Sequence, residues 1–350
     1  MKHLLRFPLL SGSRLAIVLL FFVTGAALGE APERFFTFTI TADSHLDERT
    51  DLALYQRTLT NAAADKPVFH IDLGDTFMTE KHASLSDAEK EKQYADQRRY
   101  FNLLGVPVHL VQGNHDGESG RYLDGTPNNL ALWSNAMHRR YFPEPLADGT
   151  RNYYAWEHGN ALFIVLDPFW YTPRQRRGDD NWTRTLGSEQ YQWLKRTLEG
   201  SQARFKFVFI HHLVGGLDRQ SRGGVEVVPF FEWGGRNPDG TDVFKAKRPG
   251  WYAPIHQLLL QNRVNIVFHG HDHLYARQEL DGIVYQEVPQ PGDPQGSTRS
   301  AAEYGYKSGT LLGSSGYLRV AVSADKATVE YVRPDRSLAA SYTLPALAKP

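Results

Sequence analysis

Five short polar clusters carry the chemical information in this chain. They are Asp43-Ser44-His45, Gly74-Asp75, Gly113-Asn114-His115-Asp116, His211-His212 and Gly270-His271-Asp272-His273. Neutral imidazoles mixed with carboxylates and an amide oxygen suit a divalent transition ion (Mn, Fe, Zn, Co or Ni), and the donors suffice for two ions rather than one. In D-x-H and H-x-H triplets an extended backbone sends residues i and i+2 to the same side, so both can reach one ion. The chain contains 14 histidines and no cysteine, which excludes thiolate ligands, cysteine nucleophiles and disulfides.

Each cluster immediately follows an apolar, β-rich run that reads as a buried strand: Phe35–Ile40, Pro67–Leu73, Val106–Gln112, Phe205–Ile210 and Val264–His269. A further strand is expected at Asn160–Asp167. Helices are expected between the strands, at Asp51–Ala64, from the Ser86/Glu89 capping box to about Leu104, at Asn128–Tyr141, Glu189–Leu198 and Pro254–Asn262. Strand–helix alternation argues for an α/β architecture. Ligands in such sheets bind where the carboxyl ends of strands converge, so the five clusters are expected around one crevice. Beyond residue 275 the pattern turns to hairpins, with Asp281-Gly282 between Ala276–Leu280 and Ile283–Val288, and Tyr317–Val322 followed by Thr328–Val332. Two long segments, Pro168–Thr185 and Leu213–Trp251, are rich in Gly, Arg and aromatics. Segments of that length within a domain are commonly functional. The glycine pairs of the second suggest either a substrate lid or a static flap.

The ordered set D-x-H, G-D, G-N-H-[DE], H and G-H-x-H resembles the calcineurin-like metallophosphoesterase family, over about two thirds of the chain. That resemblance implies a two-sheet β-sandwich flanked by helices, the four-layer metallophosphoesterase fold. It also implies one ion held by Asp43, His45 and His273, and a second by Asn114, His211 and His271, with Asp75 bridging. His115 resembles the family's histidine that meets the substrate without binding metal, and Asp116 or another acid would orient it. The reaction implied is phosphoester hydrolysis by metal-activated water. The purple acid phosphatase branch carries Tyr three residues after the Gly-Asp aspartate, and the serine/threonine phosphatase branch carries Asp there. This chain has Met78, which disfavours the first branch and leaves the second branch's partner for His115 missing.

Composition bounds the rest. The formal charge is zero, from 39 basic and 39 acidic residues. Residues 1–29 hold Lys2, Arg6 and Arg14 and no acid, so the remainder has 36 basic residues against 39 acidic ones. A slightly acidic body is a poor bulk binder of nucleic acid. A basic start, the apolar run 15–28 and small residues Ala27 and Gly29 form the layout of a secretory leader cut before Glu30. Residues 30–350 are then expected to form a single exported domain, periplasmic or secreted, that meets a membrane only if the leader is retained as an anchor. Alternatives left open are a phosphodiesterase acting on cyclic nucleotides, nucleic acid or lipid head groups, and a non-catalytic metal-binding module of the same fold. His70, His82, His138 and His158 are expected to be structural, and His212 and His269 to point away from the ligands. Asp72 is expected to be a supporting acid at its strand end. Arg139-Arg140 and Arg174, Arg176 and Arg177 are expected to be solvated charge.

Overall fold

In a computed structural model the described residues are 36–46, 49–78, 86–116, 136–142, 151–172, 180–214 and 222–348. The expected leader, His82, the arginines at 174–177 and the start of the helix expected from residue 128 lie outside them. The elements run β1 (Phe36–Thr41), α1 (Leu52–Ala64), β2 (His70–Asp72), α2 (Asp87–Phe101), β3 (Val108–Leu110), α3 (136–141), β4 (Tyr154–His158), β5 (Ala161–Val165), α4 (Gly187–Gly200), β6 (Phe205–Phe209), α5 (Phe231–Gly234), α6 (Phe244–Lys247), α7 (Ile255–Gln261), β7 (Ile266–His269), β8 (Leu274–Leu280), β9 (Ile283–Glu287), α8 (Arg299–Glu303), β10 (Thr310–Gly313), β11 (Tyr317–Val322), β12 (Lys326–Val332) and β13 (Leu338–Pro345).

The strands build two mixed sheets, of order β13-β12-β11-β1-β2-β3 and β10-β8-β9-β7-β6-β5-β4. The central pairs β1–β2, β2–β3, β5–β6, β6–β7 and β7–β9 are parallel, and the C-terminal strands add antiparallel edges. Period-2 alternation divides each central strand between two cores. Phe205, Phe207 and Phe209 of β6 join Phe38, Phe163 and Phe268 between the sheets, whereas Val208 and Ile210 face α4 and α7 with Leu194 and Leu258. A third core packs Tyr55 of α1 and Tyr94 and Phe101 of α2 outside the six-stranded sheet. This helix–sheet–sheet–helix layering is the expected architecture. Burial on both faces explains why the central strands read as unbroken apolar runs.

The Asp281-Gly282 hairpin is present, with both residues at positive φ (54° and 83°), as a type I′ turn requires. Strands β4, β10 and β13 were not legible in the sequence. β4 is mostly half-exposed at a sheet edge, with only Tyr154 buried, and β13 carries an exposed face at the other sheet's edge. The segment expected as the long loop Leu213–Trp251 is anchored in the core at several points from residue 222 onward and carries α5 and α6. Val227, Val228, Phe231, Trp233, Phe244 and Trp251 are all buried in the helix-side core of the seven-stranded sheet. That packing favours the static flap over the lid for this part of it; residues 215–221 lie outside the described set.

Phe163 is fully buried, with five other phenylalanines and Trp156 around it. Its replacement by alanine is expected to destabilise the protein by about 3–5 kcal/mol. Leu338→Ala, at a position 55% exposed, should stay within about 0.5 kcal/mol of the parent. Denaturant unfolding of the two variants checks the pair.

Candidate metal centre

The carboxyl ends of β1, β2, β3, β6 and β7 converge, and the five clusters leave them into one crevice. Two glycines make that convergence possible. A Cβ on Gly74 would lie 2.5 Å from the backbone nitrogen of Gly113, and one on Gly113 would overlap the backbone of Asp75. The loops after β2 and β3 therefore touch main chain to main chain. Asp43 and Asp75 follow at φ 54°, and His271 and His273 at 87° and 60°, conformations rarely adopted by residues with a Cβ. Backbone strain of this kind concentrates at functional sites.

Polar side chains behind the loops hold them there. Asp72, buried at the end of β2, accepts from the hydroxyls of Ser44 (2.5 Å), Thr41 (2.9 Å) and Thr76 and from the amide of Gly74 (3.3 Å). Burial pushes its carboxyl up to about 6. Gln97 of α2 donates to the carbonyls of Ser44 and Thr76, tying the first two clusters together, and accepts from Tyr55 of α1. Gln97 was missed in the sequence, although it sits at helical spacing from buried Tyr94 and Phe101. Asp116 accepts from the amides of Thr76 (2.9 Å), Phe77 (2.7 Å) and Gly113 (3.1 Å). Its carboxylate joins the second and third clusters.

Two groups of donor atoms result, each closing to within 4.8 Å: Asp43, His45 and His273, and Asp75, His211 and His271. Asn114 joins the second, its Oδ1 3.1 Å from His211 Nε2. His211 Nε2 also lies 3.1 Å from His271 Nδ1 and 3.4 Å from Asp75 Oδ2. His273 Nε2 lies 3.3 Å from Asp43 Oδ1. His211 Nδ1 is 2.8 Å from the carbonyl of Leu73 and must donate to it, which turns the Nε2 lone pair toward the cluster. Carboxylate, amide and imidazole acceptors aimed at common points fit a cation at each group. His115 stands beside them, its amide donating to Asp75 Oδ1 at 2.7 Å.

The electrostatics agree. Burial opposes charge on His211, yet Asp75 and then Asp43 outweigh it and raise the ring to about 10. Burial would likewise raise Asp43 and Asp75, but the facing histidines hold both below the usual carboxylate range. His271 is driven well down by burial and by nearby Arg222, so it stays neutral. Above the groups opens a cleft of about 800 Å³, with His45, Asp75, His115, His271 and His273 on its floor and Arg49, Arg222 and Tyr304 on its walls. The last three were not singled out in the sequence, where lone arginines and tyrosines carry no signal.

Other described histidines serve elsewhere: His109 stacks on Trp156, and His256 lies 2.7 Å from the Tyr285 hydroxyl. His70 sits between the hydroxyls of Thr39 and Thr41, His138 packs on Phe77, and His158 packs on Phe36. His269 pairs with buried Glu287 at 2.5 Å. His212 is buried against Phe169, with its ring 5.1 Å from that of His271.

A helix-flanked double sheet with two such donor groups at its strand ends is a metallophosphoesterase fold with a candidate dimetal centre. Residues 36–275 match the calcineurin-like phosphoesterase family, to which this chain belongs. Among solved structures, the fold is shared with a purple acid phosphatase from yellow lupin (Lupinus luteus) seeds at 15% identity and a TM-score of 0.60, covering 89% of this chain and 54% of that one. This chain thus spans about half the length of the lupin protein. PhoD aligns at 16% identity and a TM-score of 0.60, over 89% of this chain and 70% of its own. A dimetal phosphatase from Danio rerio aligns at 14% identity and a TM-score of 0.54, over 89% and 99%. No curated protein matches the chain in sequence.

The raised His211 makes a quantitative expectation possible. In the metal-free protein its charged ring faces Asp75, a stabilisation fully present below its unfolded value of 6.5 and lost as pH rises through about 10. A cation must displace that proton. Uptake near neutral pH should therefore release protons and weaken as pH falls, which calorimetric titration in buffers of different ionisation enthalpy will measure. Uptake without proton release would contradict the assigned state of His211.

Proposed function

We propose that this protein is an exported dinuclear metallophosphoesterase that hydrolyses small-molecule phosphate esters. The observation that carries the reading is the pair of donor groups beneath one cleft. Asp43, His45 and His273 would hold one divalent ion. Asn114, His211 and His271 would hold the other, with Asp75 shared. When bound, two such ions supply hydroxide at neutral pH and neutralise developing phosphoryl charge. Asp75 also holds the third cluster in place by accepting from the His115 amide. His115 opens on the cleft and is placed to give a proton to the leaving oxygen. Arg49 and Arg222 offer guanidinium groups to an anionic substrate. The cleft falls within the range of sites for small organic ligands, which supports an ester carrying an organic group. The basic and apolar leader supports export.

Chelation should abolish hydrolysis and a divalent transition ion restore it; full activity after exhaustive demetallation would reject the reading. His115→Ala should keep near-normal metal content while turnover falls by about 10²–10⁴-fold. Asp75→Asn should instead lose metal. A screen of phosphomonoesters against phosphodiesters decides the substrate class, and a metal-loaded protein inactive on both would favour a binding module. Because Met78 occupies the position of a tyrosinate, the iron-loaded protein should lack an intense purple charge-transfer band, and observing one would refute that branch assignment.

A further inference from the structure

Asp272 lies between His271 and His273 yet belongs to neither donor group. Its side chain is buried and fully engaged. Oδ1 accepts from Arg222 Nε at 2.7 Å and Oδ2 from the Tyr306 hydroxyl at 2.8 Å. Its own amide donates to Glu287 Oε1 at 2.9 Å. The neighbouring peptides are held as closely. Arg222 Nη2 donates to the carbonyl of His271 at 3.2 Å, Ser314 Oγ donates to that of His273 at 2.8 Å, and the His271 amide donates to Asp43 Oδ2 at 2.8 Å. Arg222 is itself fixed, its guanidinium 3.5 Å from the centre of the Tyr304 ring. A Cβ at Gly223 would overlap both Asp272 Oδ2 and the Tyr306 hydroxyl, so the chain after Arg222 is packed directly on this junction.

The turn has reason to need such a hold. His271 and His273 both take positive φ, and strained residues of this kind persist only where the surroundings over-determine them. The two rings also serve different donor groups, so one tilt of the turn would misplace a ligand in each.

We propose that Asp272 is a positioning residue which, clamped by Arg222 and Tyr306, locks the 270–273 turn and presents His271 and His273 to the two ions at once. The clamp rests on the dinuclear reading above. It assigns the start of the 222–251 segment to the scaffold of the metal centre. It also places Arg222 in two settings, one edge on the turn and the rest on the cleft wall.

The test is titration of the metal-free full-length chain with Mn²⁺ alone, following both uptake steps, beside thermal melting of the same metal-free samples. Asp272→Asn should weaken both steps, by about 10–100-fold, the usual effect of losing a group that orients metal ligands. Tyr306→Phe and Arg222→Lys should shift both steps in the same direction, whereas His45→Ala, in one donor group only, should weaken a single step. Wild-type affinity in both steps for Asp272→Asn and Tyr306→Phe, with only the melting temperature lowered, would make the cluster mere packing and overturn the clamp. Weakening of one step alone would overturn its common action on both ions. If Asp272→Asn does not fold, Tyr306→Phe and Arg222→Lys decide on the same criteria. A wild-type chain that takes up fewer than two ions would remove the dinuclear reading and the clamp together, an outcome distinct from normal wild-type uptake with unmoved variants.

Discussion

The Asp75 carboxylate is the point on which the architecture turns. It is buried, charged, and shared by contacts to the His115 amide and the His211 ring. A lone buried carboxylate is costly and would ordinarily take up a proton. Here imidazoles hold it ionised, and the cost is met by surrounding it with groups that a cation then unites. Gly74 and Gly113 let two loops approach without side chains between them, which brings Asn114 and His115 within reach of Asp75. A methyl group at either glycine would push the third cluster away from the second.

Around that centre the buried acids divide into two populations. Asp43 and Asp75 face histidines and are pulled below the usual range, whereas Asp72 and Asp116 face hydroxyls and amides and are pushed up, Asp116 to about 7 by burial and by the charge on Asp75. The division separates roles that composition cannot separate. Acids next to imidazoles keep lone pairs for a cation, and acids next to N–H and O–H groups act as fasteners between loops. Asp72 does this for the first two clusters and Asp116 for the second and third.

Rigidity extends outward from the fasteners. Helices α1 and α2 reach the site through Tyr55 and Gln97, and the 222–251 segment reaches it through Arg222. The glycine pairs of that segment look like hinges in the sequence, but Gly223 and Gly234 sit against atoms that leave no space for a side chain. Their absence of a Cβ serves close approach, and the aromatic residues around them fill a core rather than cover a substrate.

What could be read from the sequence were the features encoded within a few residues. Five strand-end clusters, their order, the central apolar strands and the Asp281-Gly282 turn depend on local pattern, on period-2 alternation and on turn chemistry. The residues brought to the crevice, Asp43, His45, Asp75, Asn114, His115, His211, His271 and His273, were therefore nameable in advance. What only the tertiary structure decided were relations across long separations. Gln97 meeting Ser44, Asp116 meeting Thr76, and Arg222 and Tyr306 meeting Asp272 leave no trace in local spacing, because glutamine, arginine and tyrosine occur everywhere on protein surfaces. Edge strands β4 and β13 escaped because they are at most half-buried and carry no continuous apolar run. The same limit applies to the long glycine-rich segment: glycine permits both a hinge and a close contact, and only the neighbouring atoms distinguish them.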